Sequence, residues 1–288
     1  MGVFTVTKHG VLLYAVTVIL FAMTAYAQSG SPSDPSLPPA NSDSGLHWRQ
    51  LPLAFANDEW QIWTSPFRGS TYRSHALPKY VIPFALISGA LIATDKQTAA
   101  LLPNTTDQTK WSGRVSELGA SYTLAGFTGA TLLLGQLTKN QHLRETGLLS
   151  LEAFGHTQIV VFGLKQITNR ERPLDGDGGG GFWEGGNSFP SGHAATSFAV
   201  ATVFAYEYRR HIAVPITAYA LASLVSASRL SAQRHWVSDI FVGASAGFLI
   251  GRFVYKRHHD PALPGSSTSR LVPEINVAPS GVLLTWSW

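Results

Sequence analysis

The pattern of apolar and polar positions along the chain predicts a helical protein. Six apolar segments of about 15 to 21 residues are separated by short polar stretches. They are rich in Ala, Gly, Leu and Phe and contain few alternating polar positions, which favours helices over strands. The segments are Pro78–Thr94, Glu117–Leu137, Leu148–Thr168, Ala194–Arg209, Val214–Ser228 and Trp236–Tyr255. We therefore expect an all-α fold with a six-helix bundle as its core.

Two shorter elements are predicted outside these segments. Residues Ala54–Trp63 form an amphipathic piece, which suits either a membrane surface or a helix packed on the bundle. The stretch Leu271–Trp288 alternates around the turn Pro279–Gly281 and predicts a short C-terminal β-hairpin.

Glycines repeat at every fourth position of the last apolar segment. Gly243, Gly247 and Gly251 would form a flat stripe on a helix, where another helix can approach closely. The alternative is an accidental spacing in a chain that contains 27 glycines.

The N-terminal residues have the composition of an export signal. Residues 1–27 contain the basic Lys8, the apolar run Val11–Met23 and a small-x-small site at Ala25–Ala27, as a cleavable signal peptide does. The alternative is an uncleaved membrane anchor, although the apolar run is short for a span. Residues 28–47 are rich in Ser and Pro, which predicts a disordered linker. We expect residues 48–260 to form the helical domain and residues 261–288 a tail that contains the hairpin.

Charge and cysteine content exclude several classes of function. The chain has 21 basic and 17 acidic residues and a formal charge of +4; removal of Lys8 with the signal leaves 20 against 17, or about +3. This charge is too small to indicate nucleic-acid binding. The chain has no cysteine, so it can form no disulfide and use no cysteine nucleophile.

Three short strings carry the candidate chemistry, and together they describe an anion site. Lys165 and Arg172 lie seven residues apart, or two helical turns, so both cations can point from one helix face toward the same place. Arg229 supplies a third cation from another segment. The three strings are Lys165–Pro173, Pro190–His193 and Ser228–Asp239. At one end of an up-and-down bundle, helix connectivity alone would bring them together.

The same strings contain the groups needed for nucleophilic catalysis. Ser191 offers a hydroxyl, and Gly192 offers a backbone N–H that an oxyanion can approach because no Cβ stands in the way. His235 and Asp239 are four residues apart, so on a helix the carboxylate can hold one ring nitrogen and leave the other free to attack. His193 is a second titratable group that can protonate a leaving oxygen. This set fits phosphoryl transfer through a phosphohistidine, and it requires no metal and no cofactor.

The three strings resemble the signature of the type 2 phosphatidic acid phosphatase and vanadium haloperoxidase superfamily: Lys-x6-Arg-Pro, Pro-Ser-Gly-His and Ser-Arg-x5-His-x3-Asp. Every signature position is present, over about a quarter of the chain. The resemblance implies that His235 is the nucleophile, that Asp239 orients it and that His193 is the general acid. The phosphate ligands that it implies are Lys165, Arg172, Ser191, Gly192 and Arg229.

The sequence leaves membrane embedding open. Six apolar segments and a lipid-phosphatase signature favour an integral membrane protein, whereas a mean hydropathy of +0.08 is low for one. Glu152, Glu207 and Arg252 interrupt three of the segments, and such charges are costly in lipid. The positive-inside rule and a cleaved signal also disagree about the face on which the site lies. A spanning bundle and a periplasmic, non-spanning bundle both remain possible.

We therefore predict an exported cell-envelope hydrolase of phosphomonoesters or pyrophosphates, acting on a phosphorylated lipid or a small phosphomonoester at or in a membrane, without nucleic acid. One alternative is a vanadate-dependent haloperoxidase, because the same pocket can bind vanadate, although members of that group are typically larger. The other alternative is a non-catalytic envelope protein, which would have no need for both histidines and Asp239. The signature does not specify the substrate, because specificity depends on the mouth of the pocket.

Overall fold

The computed structural model describes residues 51–65, 81–103, 105–175, 178–260, 274–278 and 281–285. The predicted signal peptide, residues 1–27, and the predicted linker, residues 28–47, lie outside this part of the chain. A 3-10 helix, Glu117–Gly119, and strands β1 Glu274–Ala278 and β2 Gly281–Thr285 accompany the α-helices. The α-helices are α1 Leu51–Thr64, α2 Ile82–Ala100, α3 Thr106–Ser116, α4 Ser121–Leu137, α5 Gln141–Thr168, α6 Gly192–Glu207, α7 Ala213–Ser231 and α8 Val237–His258.

Each predicted apolar segment coincides with a helix, which confirms the all-α class for the core of the described chain. A core of six helices is not confirmed, because α1 and α3 are also present. Helix α1 covers the predicted amphipathic piece. Helix α3 was not predicted, since its sequence is mostly polar. It is held at the end of α7 by bonds from Gln108 Nε2 to Ser231 O at 2.8 Å and from Ser112 Oγ to Ser231 Oγ at 2.9 Å.

An asparagine defines each end of α5, Asn140 through its side chain and Asn169 through its backbone conformation. The helix starts earlier than the apolar pattern indicates because Asn140 Oδ1 accepts a hydrogen bond from Leu143 N at 3.0 Å. It ends at Asn169, which adopts the left-handed conformation with φ of 41°. Asparagine tolerates this conformation better than most residues, and it is common at helix C-termini. The chain therefore turns sharply one helical turn after Lys165.

The glycine stripe on α8 forms the contact with α6. A Cβ on Gly243, Gly247 or Gly251 would collide with a backbone oxygen of α6 or of Ser191, the residue that caps it. This confirms the predicted stripe. The close approach brings the N-termini of the two helices together, where Ser191 N donates a hydrogen bond to Asp239 O at 3.0 Å.

Two apolar clusters fill the space between α5, α6, α7 and α8. Phe198 and Ile240 belong to the first, and Leu149, Val203 and Val254 to the second. Full burial of an apolar side chain of this size contributes about 1.5–3 kcal/mol. The clusters therefore make these helices a rigid support for the loops at their ends.

Among the residues that the structure describes, three helices are long and apolar enough to cross a membrane, judged by length and composition: α5, α7 and α8. Apolar side chains on α7 face outward, with Ile216, Leu221 and Leu224 between 49% and 61% exposed. Apolar surface of this kind is typical of contact with lipid or with another protein. These helices support a membrane location for the chain.

Strands β1 and β2 follow the helices near the C-terminus. They pair antiparallel, with Glu274 opposite Thr285 and Ala278 opposite Gly281. The two residues between the strands, 279 and 280, lie outside the described residues.

Candidate active site

The three motif strings meet at one end of the helices. The first string contains the end of α5, the second runs into α6, and the third joins α7 to α8. Hydrogen bonds fasten the connecting loop to α5: Thr168 Oγ1 donates to Phe189 O at 2.9 Å, and Lys165 Nζ donates to Asn187 O. The order of the helices thus places the predicted site residues together.

His235 is buried, and a backbone carbonyl fixes its ring. Its Nδ1 atom lies 2.8 Å from Ser188 O and 3.5 Å from Asp239 Oδ2. A carbonyl oxygen can only accept, so Nδ1 carries the proton and Nε2 keeps its lone pair. Burial lowers the pKa of His235 to about 4, and this effect outweighs the opposite influence of Asp239. The imidazole is therefore neutral at physiological pH, as a nitrogen nucleophile must be.

Asp239 is buried in the first turn of α8 and accepts three hydrogen bonds besides its contact with His235. Oδ2 accepts from Ser188 Oγ at 2.5 Å and from Trp236 N at 2.9 Å, and Oδ1 accepts from Arg170 Nη1 at 2.7 Å. Donors of this kind stabilise the ionised carboxylate. The spacing in the sequence predicted that Asp239 holds His235; in the structure Ser188 O is the nearer partner, and Asp239 supports the ring from 3.5 Å.

Arg170 and Asp95 support the candidate site through Asp239, and the sequence did not indicate either of them. Both are buried, and Arg170 Nη2 donates to Asp95 Oδ2 at 2.8 Å. Ser238 connects them, because it accepts from Arg170 Nη1 at 2.6 Å and donates to Asp95. The sequence contains little signal for Asp95, because it stands in the polar run Thr94–Thr98 near the end of α2, a pattern typical of an exposed helix end.

Two predicted phosphate ligands have a buried donor that other residues leave unsatisfied. The Nε atoms of Arg172 and Arg229 are buried and have no hydrogen-bond partner within the described ranges. Arg229 is positioned through another nitrogen, Nη1, which donates to Ser116 Oγ at 2.7 Å. Buried donors are normally paired, so an acceptor from outside the chain, such as a phosphate oxygen, would complete these two arginines.

His193 lies in the positive field of the site. Burial, followed by the charges of Arg229, His235, Lys165 and Arg172, lowers the pKa of His193 to about 3. These causes also show that the predicted cations and both histidines lie within electrostatic reach of one another. A dianion among them would offset the positive charges and favour protonation of His193.

Ser191 and Gly192 begin α6 at the centre of the site. Ser191 is fully buried and caps the helix, since its side chain accepts from Ala194 N at 3.5 Å. A Cβ at Gly192 would make only an ordinary contact with Val161 among the described residues, so packing does not require glycine there. Backbone N–H groups at a helix N-terminus bind anions. A need for close approach by a ligand therefore accounts for Gly192 better than packing does.

Comparison with known proteins finds similarity in the same region of the chain, the part that contains the three motif strings. Residues 146–261 match the family model of the PAP2 superfamily. A lipid A 1-phosphatase of Porphyromonas gingivalis is 46% identical over 70 residues, which cover 24% of this chain and 16% of that protein. Phosphatidylglycerophosphatase B of Bacillus subtilis is 35% identical over 112 residues, which cover 36% of this chain and 54% of that protein. The chain thus spans about half or less of the curated relatives that it matches.

Two solved structures are also similar to this chain. Aquifex aeolicus LpxE has a TM-score of 0.41 and 21% identity and covers 61% of this chain and 94% of its own. A transmembrane PAP2-type phosphatidylglycerolphosphate phosphatase from Bacillus subtilis has a TM-score of 0.42 and 23% identity, with 72% and 95% covered.

Proposed function

We propose that this chain, which belongs to the PAP2 superfamily, is a cell-envelope phosphatase that hydrolyses a phosphomonoester or pyrophosphate of a lipid. The reaction proceeds through a phosphohistidine on His235 and uses no metal. The observation that carries this proposal is the pairing of His235 Nδ1 with Ser188 O at 2.8 Å, which leaves Nε2 as the nucleophilic atom. The similar proteins named lipid A 1-phosphatase and phosphatidylglycerophosphatase B support a lipid substrate.

The first chemical step is attack of the His235 Nε2 lone pair on phosphorus. A P–N bond forms, the bond from phosphorus to the leaving oxygen breaks, and that oxygen takes the proton of His193. Lys165, Arg172 and Arg229 stabilise the charge on the transferred phosphoryl group, which is where catalysis of this reaction is mostly achieved.

The second step releases phosphate and restores the enzyme. His193, now neutral, accepts a proton from water while the water oxygen attacks phosphorus and the P–N bond breaks. His235 recovers its lone pair, and phosphate leaves. Asp239 stabilises the positive charge that His235 carries while it is phosphorylated, and Arg170 holds Asp239 in place through the 2.7 Å hydrogen bond.

Substrate binding prepares His193 for its role as acid. In the free enzyme, burial and the neighbouring cations lower its pKa to about 3, so it is neutral. A phosphate dianion would oppose those cations and raise the pKa of His193 in the complex. Protonation of the general acid is thereby coupled to occupation of the phosphate site.

Apolar surface beside the phosphate site favours a lipid substrate. Phe162 and Ile167, which lie on either side of Lys165 along α5, are 65% and 59% exposed. An acyl chain at this surface would keep the phosphate within reach of Lys165 while its apolar part stays out of water. Residues 1–27 would export the protein, residues 28–47 would link it to the domain 48–260, and the site would act in the periplasm or the envelope membrane.

Phosphate release from a panel of substrates tests this function. We expect the purified chain to release phosphate from phosphorylated lipids in mixed micelles, at a rate that EDTA leaves unchanged. His235→Ala should abolish release, whereas the control His211→Ala, at an exposed position, should not. Release that requires added Mg²⁺ or Zn²⁺ from a chain that is folded without the ion, or halide oxidation with vanadate in place of phosphate release, would contradict the proposal.

A further inference from the structure

A second cluster of ionisable side chains lies at the other end of the helices. It joins Asp58 on α1, Glu152 and His156 on α5, and His258 at the end of α8. One ligand atom from each of Asp58, Glu152 and His156 lies within 4.8 Å of the others. His258 Nε2 lies 2.6 Å from Asp58 Oδ2 and 3.3 Å from Glu152 Oε1. Because α8 rises about 1.5 Å per residue, His258 is about 28 Å along the helix from Asp239, so this cluster is separate from the catalytic site.

His156 has a buried nitrogen that points into this cluster without a hydrogen-bond partner. Its side chain is fully buried. Nδ1 lies 2.6 Å from Glu59 Oε2, whereas Nε2 lies 3.8 Å from Glu152 Oε1 and has no hydrogen-bond partner among the residues that the structure describes. Buried polar atoms are nearly always satisfied, so the free nitrogen indicates a ligand from outside the chain.

The surroundings of His156 resemble the support of a metal ligand. A metal-binding imidazole usually donates its other ring N–H to a carboxylate, which fixes the tautomer and the ring orientation. Glu59 takes this place, and its second oxygen accepts from Trp63 Nε1 at 2.7 Å. The ring of Phe55 stacks on the imidazole with 3.9 Å between centroids. These contacts fix the plane of the ring and direct Nε2 toward the cluster.

The charges of the cluster attract a divalent cation. With neutral histidines, the carboxylates of Asp58, Glu59 and Glu152 carry a charge of −3. Arg257 contributes +1, so the net charge of the cluster is −2. Arg257 Nε lies 2.5 Å from Asp58 Oδ1, and Asp58 Oδ2 is hydrogen-bonded to His258 Nε2 at 2.6 Å, so an ion bound by both would replace the proton that they share. Two charges of +2 and −2 at short range in a buried site interact strongly.

We propose that Asp58, Glu152, His156 and His258 bind one divalent ion of the zinc class, and that this ion fastens α1 to α5 and α8. Zinc binds both imidazole nitrogens and carboxylate oxygens, and it is usually four-coordinate and tetrahedral in structural sites. In such a site, metal–ligand bonds of about 2.0 Å place neighbouring ligand atoms about 3.3 Å apart. The observed separations of 2.6, 3.3 and 3.8 Å lie on both sides of that value. Ligand atoms of Asp58, Glu152 and His156 already lie within 4.8 Å of one another, and binding of the ion would draw His258 into this group.

These ligands are too widely spaced along the chain for the sequence to predict a metal site. Asp58 and His258 are separated by 200 positions, and no short motif relates them. A closed site of four protein ligands has no open position for substrate, so the ion stabilises the fold and takes no part in phosphoryl transfer. Binding to the folded chain alone would raise its melting temperature.

The test uses the full chain without a polyhistidine tag, stripped of metals and titrated with Zn²⁺ alone. We expect tight binding of about one Zn²⁺ per chain and a rise in Tm for the parent and for the exposed-histidine control His211→Ala. Binding and the Tm rise should be lost in His156→Ala and His258→Ala. Glu59→Gln should weaken binding by about 10–100-fold.

Two results would overturn the proposal. The first is that the parent protein binds no more Zn²⁺ than His258→Ala does. The cluster would then be an ion-pair network only. The other is tight binding that persists in His258→Ala. His258 is at the end of α8 and partly exposed, so this variant should fold even if the buried His156→Ala does not. Retention of phosphate release by His258→Ala confirms that it has folded.

Discussion

Arg170 Nη1 donates a hydrogen bond to Asp239 Oδ1 at 2.7 Å, and both side chains are buried. The same guanidinium binds Asp95 Oδ2 at 2.8 Å through Nη2. Charge-assisted hydrogen bonds of this kind fix geometry as well as charge. The carboxylate beside His235 is therefore held by an arginine that is not one of the three signature cations.

We predict that Arg170→Met lowers the free energy of unfolding by about 3–5 kcal/mol, because it leaves two buried carboxylates without their partner. It should also lower kcat more than it changes KM, since Arg170 acts through Asp239 and does not touch substrate. Urea denaturation and steady-state kinetics measure the two effects. The control Arg210→Met, at an exposed arginine, should stay within about 0.5 kcal/mol. Parent-like stability and kcat in Arg170→Met would show that this arginine does not support Asp239.

His193→Gln should slow the turnover of substrates with poor leaving groups more than that of substrates with good ones. Alkyl phosphates have poor leaving groups and need a proton at the departing oxygen, so their turnover should fall by about 100- to 10,000-fold. Activated aryl phosphates need less protonation and should lose much less. A comparison of kcat/KM for the two classes measures the difference. Equal losses on both would mean that His193 binds phosphate and donates no proton.

The pH dependence of kcat/KM should show an acid limb from His235. Burial lowers the pKa of His235 to about 4, and in the proposed mechanism the neutral form is the nucleophile. Activity is therefore present above that pH and is lost as pH falls through about 4, where Nε2 becomes protonated. The limb should persist in His193→Gln, because His193 does not cause it. An acid limb near the ordinary histidine pKa of about 6.5 would contradict a desolvated His235.

Arg229→Met and Ser116→Ala should both lower kcat/KM, and the loss should be larger for Arg229→Met. In the proposed mechanism, loss of the Arg229 guanidinium removes a donor to the transferred phosphoryl group, so it should cost about 2–4 kcal/mol in kcat/KM on every substrate. Ser116→Ala removes only the oxygen that accepts from Arg229 Nη1 at 2.7 Å, which should cost about 0.5–1.5 kcal/mol. Kinetics on one lipid and one aryl phosphate measure both. A larger loss in Ser116→Ala than in Arg229→Met would contradict the assigned roles.

The helices of the core could be predicted because their apolar runs are long. Helix α3 could not, since Gln108 and Ser112 are polar and hold it through specific bonds to Ser231. The ends of α5 depend on the cap at Asn140 and the left-handed turn at Asn169 and not on apolar periodicity. Patterns of hydrophobicity thus locate helices but not the polar contacts that dock and terminate them.

That the candidate site residues lie near one another could be predicted because each is in a short motif next to a helix end. Their supports could not: Ser188 O holds His235 through a backbone atom, which no residue type reveals. Asp95 reaches Arg170 across 75 positions of sequence, and Asp58 reaches His258 across 200. Contacts of this range depend on tertiary packing, and a single sequence contains no spacing rule for them.

Rapid quenching tests the central claim, that His235 is the nucleophile. The parent protein is mixed with substrate labelled on its phosphoryl group, quenched in alkali within a turnover, and digested for peptide mapping. We predict a label that is stable to base, labile to acid and attached to the peptide containing His235, with none retained by His235→Ala. A label that persists in His235→Ala, or that maps to another residue, would contradict the account.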